Sequence, residues 1–338
     1  MVSFFFRLLF FSMLVVGAII VPRLFLPTYW GNEGHAVKMP YVESHEEINT
    51  LFIGSSRTQF HIDPLVFDSV TGKTQSFNLG YSSTRGEESM FFLEDLLAHE
   101  NFLQNIDYIF LEVRPLFYDE LLYKNLRGKY QLNKDRLIFL QSYFRPINDF
   151  ATKDLSKSYI ESLLGIGMVR DEWSQLAFPS MRLNKSIAFF EKRGFANRKK
   201  AIESDQINSN LVAAGIDFTD KLDDRRDFAL RCYEADKETI SASDALYVER
   251  LNALHDDLSR EGVALYFIPT LRFENTPLPN LFRKLNQGDL YAETSNPKRY
   301  PEFYSPEFSG DAAHLNLQGA RLYSTVLADL FLSISATP

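Results

Sequence analysis

The chain has 338 residues, 45% of them hydrophobic and 24% charged, so it can bury a core and is not a disordered polypeptide. Lys and Arg number 36 against 44 Asp and Glu, a formal net charge of −8, which speaks against a nucleic-acid partner. A single cysteine, Cys232, excludes an intrachain disulfide framework and a multi-cysteine zinc site.

The charge is unevenly distributed. The first acid is Glu33, and only Arg7 and Arg23 precede it. Without those two arginines, 34 basic residues stand against 44 acidic ones, a net of −10 for the remainder. Residues 4–26, FFFRLLFFSMLVVGAIIVPRLFL, hold an uncharged apolar stretch from Leu8 to Val21. That is short of the ~20 residues a spanning helix uses, but Arg7 and Arg23 can extend it by snorkelling to the two interfaces. Tyr29 and Trp30 then fall where an interfacial aromatic belt is expected. No convincing small-x-small cleavage site follows, and a core helix is unusual at a terminus. The reading is a signal anchor over residues 1–30, inserted in the bilayer through residues 4–26. The short tail bearing Arg7 stays inside, and the body lies outside the cytoplasm.

Residues 31–47 are polar, with Gly, Pro and His, and read as a stalk. From Ile48 the pattern becomes regular. Strands are expected at Ile48–Ile53, Gln75–Leu79, Ile106–Val113 and Gly262–Pro269. Asp63-Pro64 starts a helix, with Asp as N-cap and Pro in the first turn. Thr84 and Glu87 form a capping-box pair opening a helix to about His99. Further helices are expected at about Ser243–Glu261 and Asn316–Leu332. Strands alternating with helices imply an α/β fold with a mainly parallel sheet. Between residues 116 and 241 no strand stands out, so a largely helical insertion is expected there. Its charged stretch, Asn197–Asp227, reads as a loop.

Open α/β sheets carry their sites at the carboxyl ends of the strands. Three segments there bear chemistry. Gly54-Ser55-Ser56-Arg57 follows the first strand, where a tight turn presents a serine hydroxyl beside backbone N–H groups. It is not a G-x-S-x-G elbow, because Thr58 stands where the last glycine belongs. Asn78-Leu79-Gly80 ends the second strand, where glycine lets a backbone N–H approach a bound carbonyl. Asp311-Ala312-Ala313-His314 precedes the last helix, placing an acid and an imidazole on one loop. Each has an ordinary reading as a polar turn, a strand-ending glycine or a capped loop.

In this order the three segments resemble the SGNH (GDSL-like) hydrolase superfamily over about residues 48–335. IGSSRTQFHIDP and DAAHLNLQGA look like its cell-envelope branch, which includes proteins of alginate O-acetylation and teichoic-acid D-alanylation. The resemblance implies a three-layer α/β/α domain of flavodoxin-like type over 48–338, interrupted by the insertion. It implies Ser56 as nucleophile, His314 as base and Asp311 as its orienting acid, with Gly80 and Asn78 near the oxyanion. It implies no cofactor and no metal. Its partners would be an acylated glycan or acyl donor and a membrane-bound O-acyltransferase, in a membrane-anchored esterase or O-acyltransferase. The alternative is a non-catalytic glycan-binding partner of such an acyltransferase.

Two departures matter. Ser55 replaces the Asp of G-D-S. At the third block, where G-x-N-D supplies an Asn donor, the strand ends Glu112-Val113-Arg114-Pro115. Arg114 is a charged donor for the oxyanion, or else Glu112 and Arg114 form structural ion pairs. Arg57 is open to two roles, binding an anionic substrate or pairing with Glu112. His61 and Asp63 suggest metal only weakly, since Asp63 already caps a helix.

Overall fold

The computed structural model describes residues 2–26, 33–98, 102–117, 126–147, 149–165, 168, 172–173, 193–196, 218–235, 239–272, 278–285 and 292–335. In chain order these form α1 (Val2–Phe25), α2 (Glu33–Glu43), β1 (Thr50–Ile53), α3 (Ser56–His61), α4 (Pro64–Thr71), β2 (Ser76–Asn78) and α5 (Gly86–Leu97). There follow β3 (Tyr108–Val113), α6 (Leu126–Gln131), α7 (Lys134–Phe144), α8 (Asp149–Leu163), α9 (Thr219–Glu234), α10 (Ala242–Arg260), β4 (Ala264–Pro269), α11 (Leu278–Phe282) and α12 (Leu317–Ser335). The chain divides into two compact units, Met1–Val37 with Tyr118–Ile187, and Lys38–Phe117 with Ala188–Pro338.

The second unit holds an all-parallel four-stranded sheet in the order β2-β1-β3-β4. The fold is therefore α/β, as the alternation of strands and helices implied. The strands are almost wholly buried, which is why β1, β4 and most of β3 read as apolar runs rather than alternating ones, with Ser76-Phe77-Asn78 of β2 and Glu112 of β3 as the exceptions. Register aligns Phe52 with Phe110 and Phe110 with Tyr266 across three strands. Phe67 of α4 and Phe331 of α12 pack on this row, with ring centroids 5.0 Å (Phe52–Phe67), 5.6 Å (Phe110–Phe331) and 5.5 Å (Tyr266–Phe331) apart. Each such ring contributes roughly 2–3 kcal/mol by leaving water. Helix α4 starts as the sequence indicates: Asp63 accepts from Leu65 N–H at 3.1 Å. Helix α12 is tied to it through Ser324 Oγ, which accepts from Asp63 N–H at 2.8 Å.

Four expectations are corrected. The helix start is one residue later and carries only the acid half of a capping box: Glu88 Oε2 accepts from Arg85 N–H at 2.7 Å, and α5 begins at Gly86. Segment 31–47 is not a stalk over its described part, because 33–43 is helical and buries Lys38, Met39 and Val42. The region 116–241 is not one insertion. Residues 118–187 segregate with the first unit, while α9 lies in the second and makes the end of the charged stretch helical. Residues 197–217 lie outside the described residues.

In the first unit, α1 is long and apolar enough, by length and composition, to cross a membrane. Arg23 does not stand free for snorkelling. Its Nε pairs with Glu172 Oε1 at 3.0 Å and its Nη2 donates to Ser162 O at 2.8 Å. Tyr29 and Trp30 lie outside the described residues.

The unit boundary falls within α2, and Lys38 shows why its later part, Lys38–Glu43, goes with the second unit. Its ammonium is buried and donates to Asn78 O at 2.9 Å, Gly80 O at 2.6 Å and Gly194 O at 3.0 Å. Three N–H groups meet three carbonyls at the end of β2. Burial pushes Lys38 from the ordinary 10.5 down to about 7. Between those values the unfolded chain keeps a proton that the folded one has released, so this group makes stability rise with pH. The stability of the wild type relative to Lys38→Met should grow from pH 7 towards 10, by at most about 1.4 kcal/mol per pH unit. Chemical denaturation of both forms across that window checks the slope; a flat or falling difference would reject it.

Candidate active site

The turn after β1 is built over a buried carboxylate. Gly54 is required there: a Cβ would collide with Thr58 Oγ1 and lie 2.6 Å from both Cβ and Oε2 of Glu112. Ser55, fully buried, is the N-cap of α3, and its Oγ accepts from Arg57 N–H at 3.1 Å. The same hydroxyl donates to Glu112 Oε2 at 2.8 Å, and Ser55 N–H donates to that oxygen at 2.7 Å. Thr58 Oγ1 adds a third bond to Oε2 at 2.7 Å, and Thr270 Oγ1 reaches Oε1 at 3.0 Å. Burial alone would raise the Glu112 carboxyl. The charge of Arg114, the Ser55 N–H, the charge of Arg57 and the Thr58 hydroxyl outweigh it and hold the carboxyl below its ordinary value. With Ser55 committed inward, Ser56 in the first turn of α3 points the other hydroxyl towards the loop before α12.

That loop brings His314 to Ser56, with Nε2 2.8 Å from Oγ. His314 Nδ1 is 2.9 Å and 3.0 Å from the two carboxylate oxygens of Asp311. A carboxylate only accepts, so Nδ1 carries the proton and Nε2 is left as the acceptor for the serine hydroxyl. Asp311 Oδ1 also accepts from the backbone N–H of Ala313 (2.7 Å) and His314 (2.9 Å), which locks the loop around the acid. Asn316 closes it, capping α12 by accepting from Gly319 N–H at 3.0 Å.

Two arginines hold this loop, and the sequence reading passed over both. Arg272, fully buried just after β4, donates to Phe303 O (2.6 Å), Ser309 Oγ (2.7 Å), Asp311 O (3.0 Å) and His314 O (3.1 Å). Arg225 of α9 donates to Ala312 O at 2.6 Å. Arg272 has φ +56°, a left-handed conformation that costs a non-glycine about 1–2 kcal/mol and persists only where contacts impose it. Burial lowers its pKa to about 9, still protonated at neutral pH. Position at a strand's carboxyl end was a usable signal for Arg272; nothing local marks Arg225. Arg272→Met would remove the buried donor shared by Phe303 O, Asp311 O and His314 O, the last of which keeps the Gly310 N–H at 2.9 Å. We expect it to cost about 3–5 kcal/mol, read as a lowered denaturation midpoint. A loss under 1 kcal/mol would show that Arg272 does not hold the loop.

The remaining anticipated residues have structural work. Gly80 N–H donates to Asn78 Oδ1 at 2.9 Å, so the expected open donor to an oxyanion is corrected: that N–H is engaged. Gly80 is glycine because a Cβ would sit 2.5 Å from Gln59 N. Asn78 Nδ2 donates to Thr58 O and Ile62 O, both at 2.8 Å, and thereby clamps α3 to the end of β2. Arg114 Nη1 donates to Thr84 O at 2.7 Å, and its charge acts on Glu112. Arg57 reaches Arg272 O with Nη2 at 3.5 Å and adds to the field on Glu112. The charges of Arg114 and Arg57 thus act on Glu112 beneath the serine turn, while Arg114 Nη1 and Arg57 Nη2 donate to backbone carbonyls. His61 is buried and neutral, its pKa driven well down by burial and then by His314, Arg272 and Arg57. Among the described residues, no three His, Cys, Asp or Glu cluster as metal ligands would.

No protein-family model, curated protein or solved structure matches the chain.

Proposed function

We propose that the protein is a membrane-anchored serine esterase or O-acyltransferase of SGNH type, acting on acyl esters of a cell-envelope glycan. The observation that carries this reading is the Ser56–His314–Asp311 chain of contacts at 2.8 Å and 2.9 Å. Ser56 Oγ attacks the ester carbonyl while His314 Nε2 takes its proton. The tetrahedral oxyanion is met by backbone N–H at the first turn of α3, a donor worth ~3 kcal/mol in such sites. Collapse expels the alcohol, which takes the proton from His314, and leaves an acyl group on Ser56. Water then regenerates an acid, or a glycan hydroxyl accepts the acyl group. The expected three-layer arrangement and the resemblance of the GSS and DAAH segments belong to this reading. So does orientation: α1 spans the bilayer with its start inside, and the second unit lies outside the cytoplasm. An acidic body favours a neutral or zwitterionic glycan.

A second reading is favoured by the engaged Gly80 N–H and by Glu112-Val113-Arg114 where an Asn donor is expected. In it the protein binds glycan without catalysis, beside a membrane-bound O-acyltransferase. A fluorophosphonate probe on the full chain in detergent separates the two. Labelling of Ser56 that disappears in Ser56→Ala supports the enzyme. An unlabelled chain that retains acylated glycan supports the binding partner.

A further inference from the structure

Helix α8 in the first unit has an outward face of unusual composition. Among its described side chains, the exposed ones are Phe150, Lys153, Lys157, Ile160 and Leu163, and the adjoining Leu164 is exposed as well. The spacing puts them on one side of the helix. Phe150 is 75% exposed, Ile160 54%, Leu163 57% and Leu164 57%. The buried positions Ala151, Leu155, Ser158 and Ser162 lie on the opposite side. The apolar side chains are therefore not the inner face of α8. The charges on the outward face are lysines; Lys157 Nζ lies 3.9 Å from Glu161, a half-buried acid bonded more closely by Lys129 Nζ at 2.5 Å.

This helix is fastened to α1. Arg23 donates to Ser162 O next to Leu163, and also pairs with Glu172. Trp173, 43% exposed, donates its indole N–H to Ala18 O at 2.9 Å. From Ala18 to Phe25 a helix rises only about 10 Å. Residues attached at Ala18 and Arg23 therefore stand at the depth of the last turns of α1. An amphipathic helix with aromatic and aliphatic residues and lysines on one face sits about 5–10 Å into the headgroup boundary. Lysine stems lie along the apolar surface while their ammoniums reach phosphates.

We infer that the outward face of α8, with Trp173 beside it, is embedded in the interfacial layer of the bilayer that α1 crosses, with Lys153 and Lys157 on anionic headgroups. The inference rests on the reading of α1 as the membrane span. The first unit is then a monolayer-embedded foot.

The test uses the full chain in phosphatidylcholine vesicles with and without phosphatidylglycerol, in a Cys232→Ser background. Spin labels are placed at Phe150→Cys and Ile160→Cys, with Leu14→Cys in α1 as reference. Labels at 150 and 160 should be relaxed by bilayer-borne oxygen and protected from a water-borne nickel chelate. Trp30→Phe leaves Trp173 as the sole tryptophan. Brominated lipid should quench it, more strongly with phosphatidylglycerol. Lys153→Gln with Lys157→Gln should abolish that extra quenching. Labels at 150 and 160 open to nickel would overturn the inference. Labels shielded from both reagents would also overturn it, since a protein or a second copy then covers the face. If the Leu14 label is itself open to nickel, the membrane-span reading fails too; if it is lipid-exposed, only the present inference falls.

Discussion

Ser56→Ala should lower ester turnover by a factor on the order of 10⁶, and His314→Ala by a similar factor, with the double change little worse than either. In the proposed mechanism the two groups act as one unit: the hydroxyl becomes a nucleophile only while Nε2, 2.8 Å away, can take its proton. Asp311→Asn is the sharper probe. Asp311 Oδ1 accepts from two backbone N–H groups, and an amide oxygen can keep both bonds. The amide nitrogen then faces Nδ1 and forces the imidazole to accept there. Nε2 becomes a donor towards Ser56 and can no longer take the proton. A loss on the order of 10⁴-fold with a folded loop is expected. Steady-state hydrolysis of an activated acetyl ester measures the wild type and the four variants. Wild-type turnover that survives Ser56→Ala and His314→Ala would remove this triad from the mechanism.

The second large effect is on stability. Glu112→Ala should cost about 3–5 kcal/mol, because it strips a buried site of the charge that its donors and the fields of Arg114 and Arg57 are arranged around. Glu112→Gln should cost less, about 1–3 kcal/mol. Its amide oxygen can face Ser55 and Thr58, while Thr270 Oγ1 turns its proton to Val113 O, already 2.9 Å away. The pH dependence has a fixed sign. The folded carboxyl titrates below its ordinary 4.5, so its contribution is complete above that pH. It fades as the pH falls through the lower, folded value. The gap between wild type and Glu112→Gln should therefore narrow below about pH 4.5. Urea denaturation at pH 7 and pH 4 reads both results, and a gap that widens in acid would contradict an ionised Glu112.

Much of the architecture was legible in the linear pattern. The four strands lie within two residues of where the sequence placed them, because parallel strands buried on both faces are mainly apolar; the buried polar exceptions, Ser76, Asn78 and Glu112, are hydrogen-bonded. Asp63-Pro64 marked the start of α4 because capping is local chemistry, satisfied within three residues. The Thr84–Glu87 pair missed the helix start by one position: Glu88 Oε2 takes the Arg85 N–H and α5 begins at Gly86. The stalk reading failed for another reason. Segment 33–43 looks polar, yet its lysine finds three carbonyls from distant parts of the chain, and no local signal carries that.

By itself the sequence determined the alternation that yields a parallel sheet, the apolar first helix, and the residue types able to form a Ser-His-Asp site. These follow from periodicity, length and side-chain chemistry, all local properties. The resemblance pointed to Ser56, and tertiary structure supplied the reason that it, and not Ser55, faces His314. Ser55 is drawn inward by Glu112, 57 residues away, and Ser56 is left towards an imidazole 258 residues away. Tertiary structure alone decided that Gly80 and Asn78 serve packing, and that Arg272 and Arg225 hold the His314 loop. Such assignments depend on donors and acceptors that meet only when strand ends converge, so no stretch of sequence contains them.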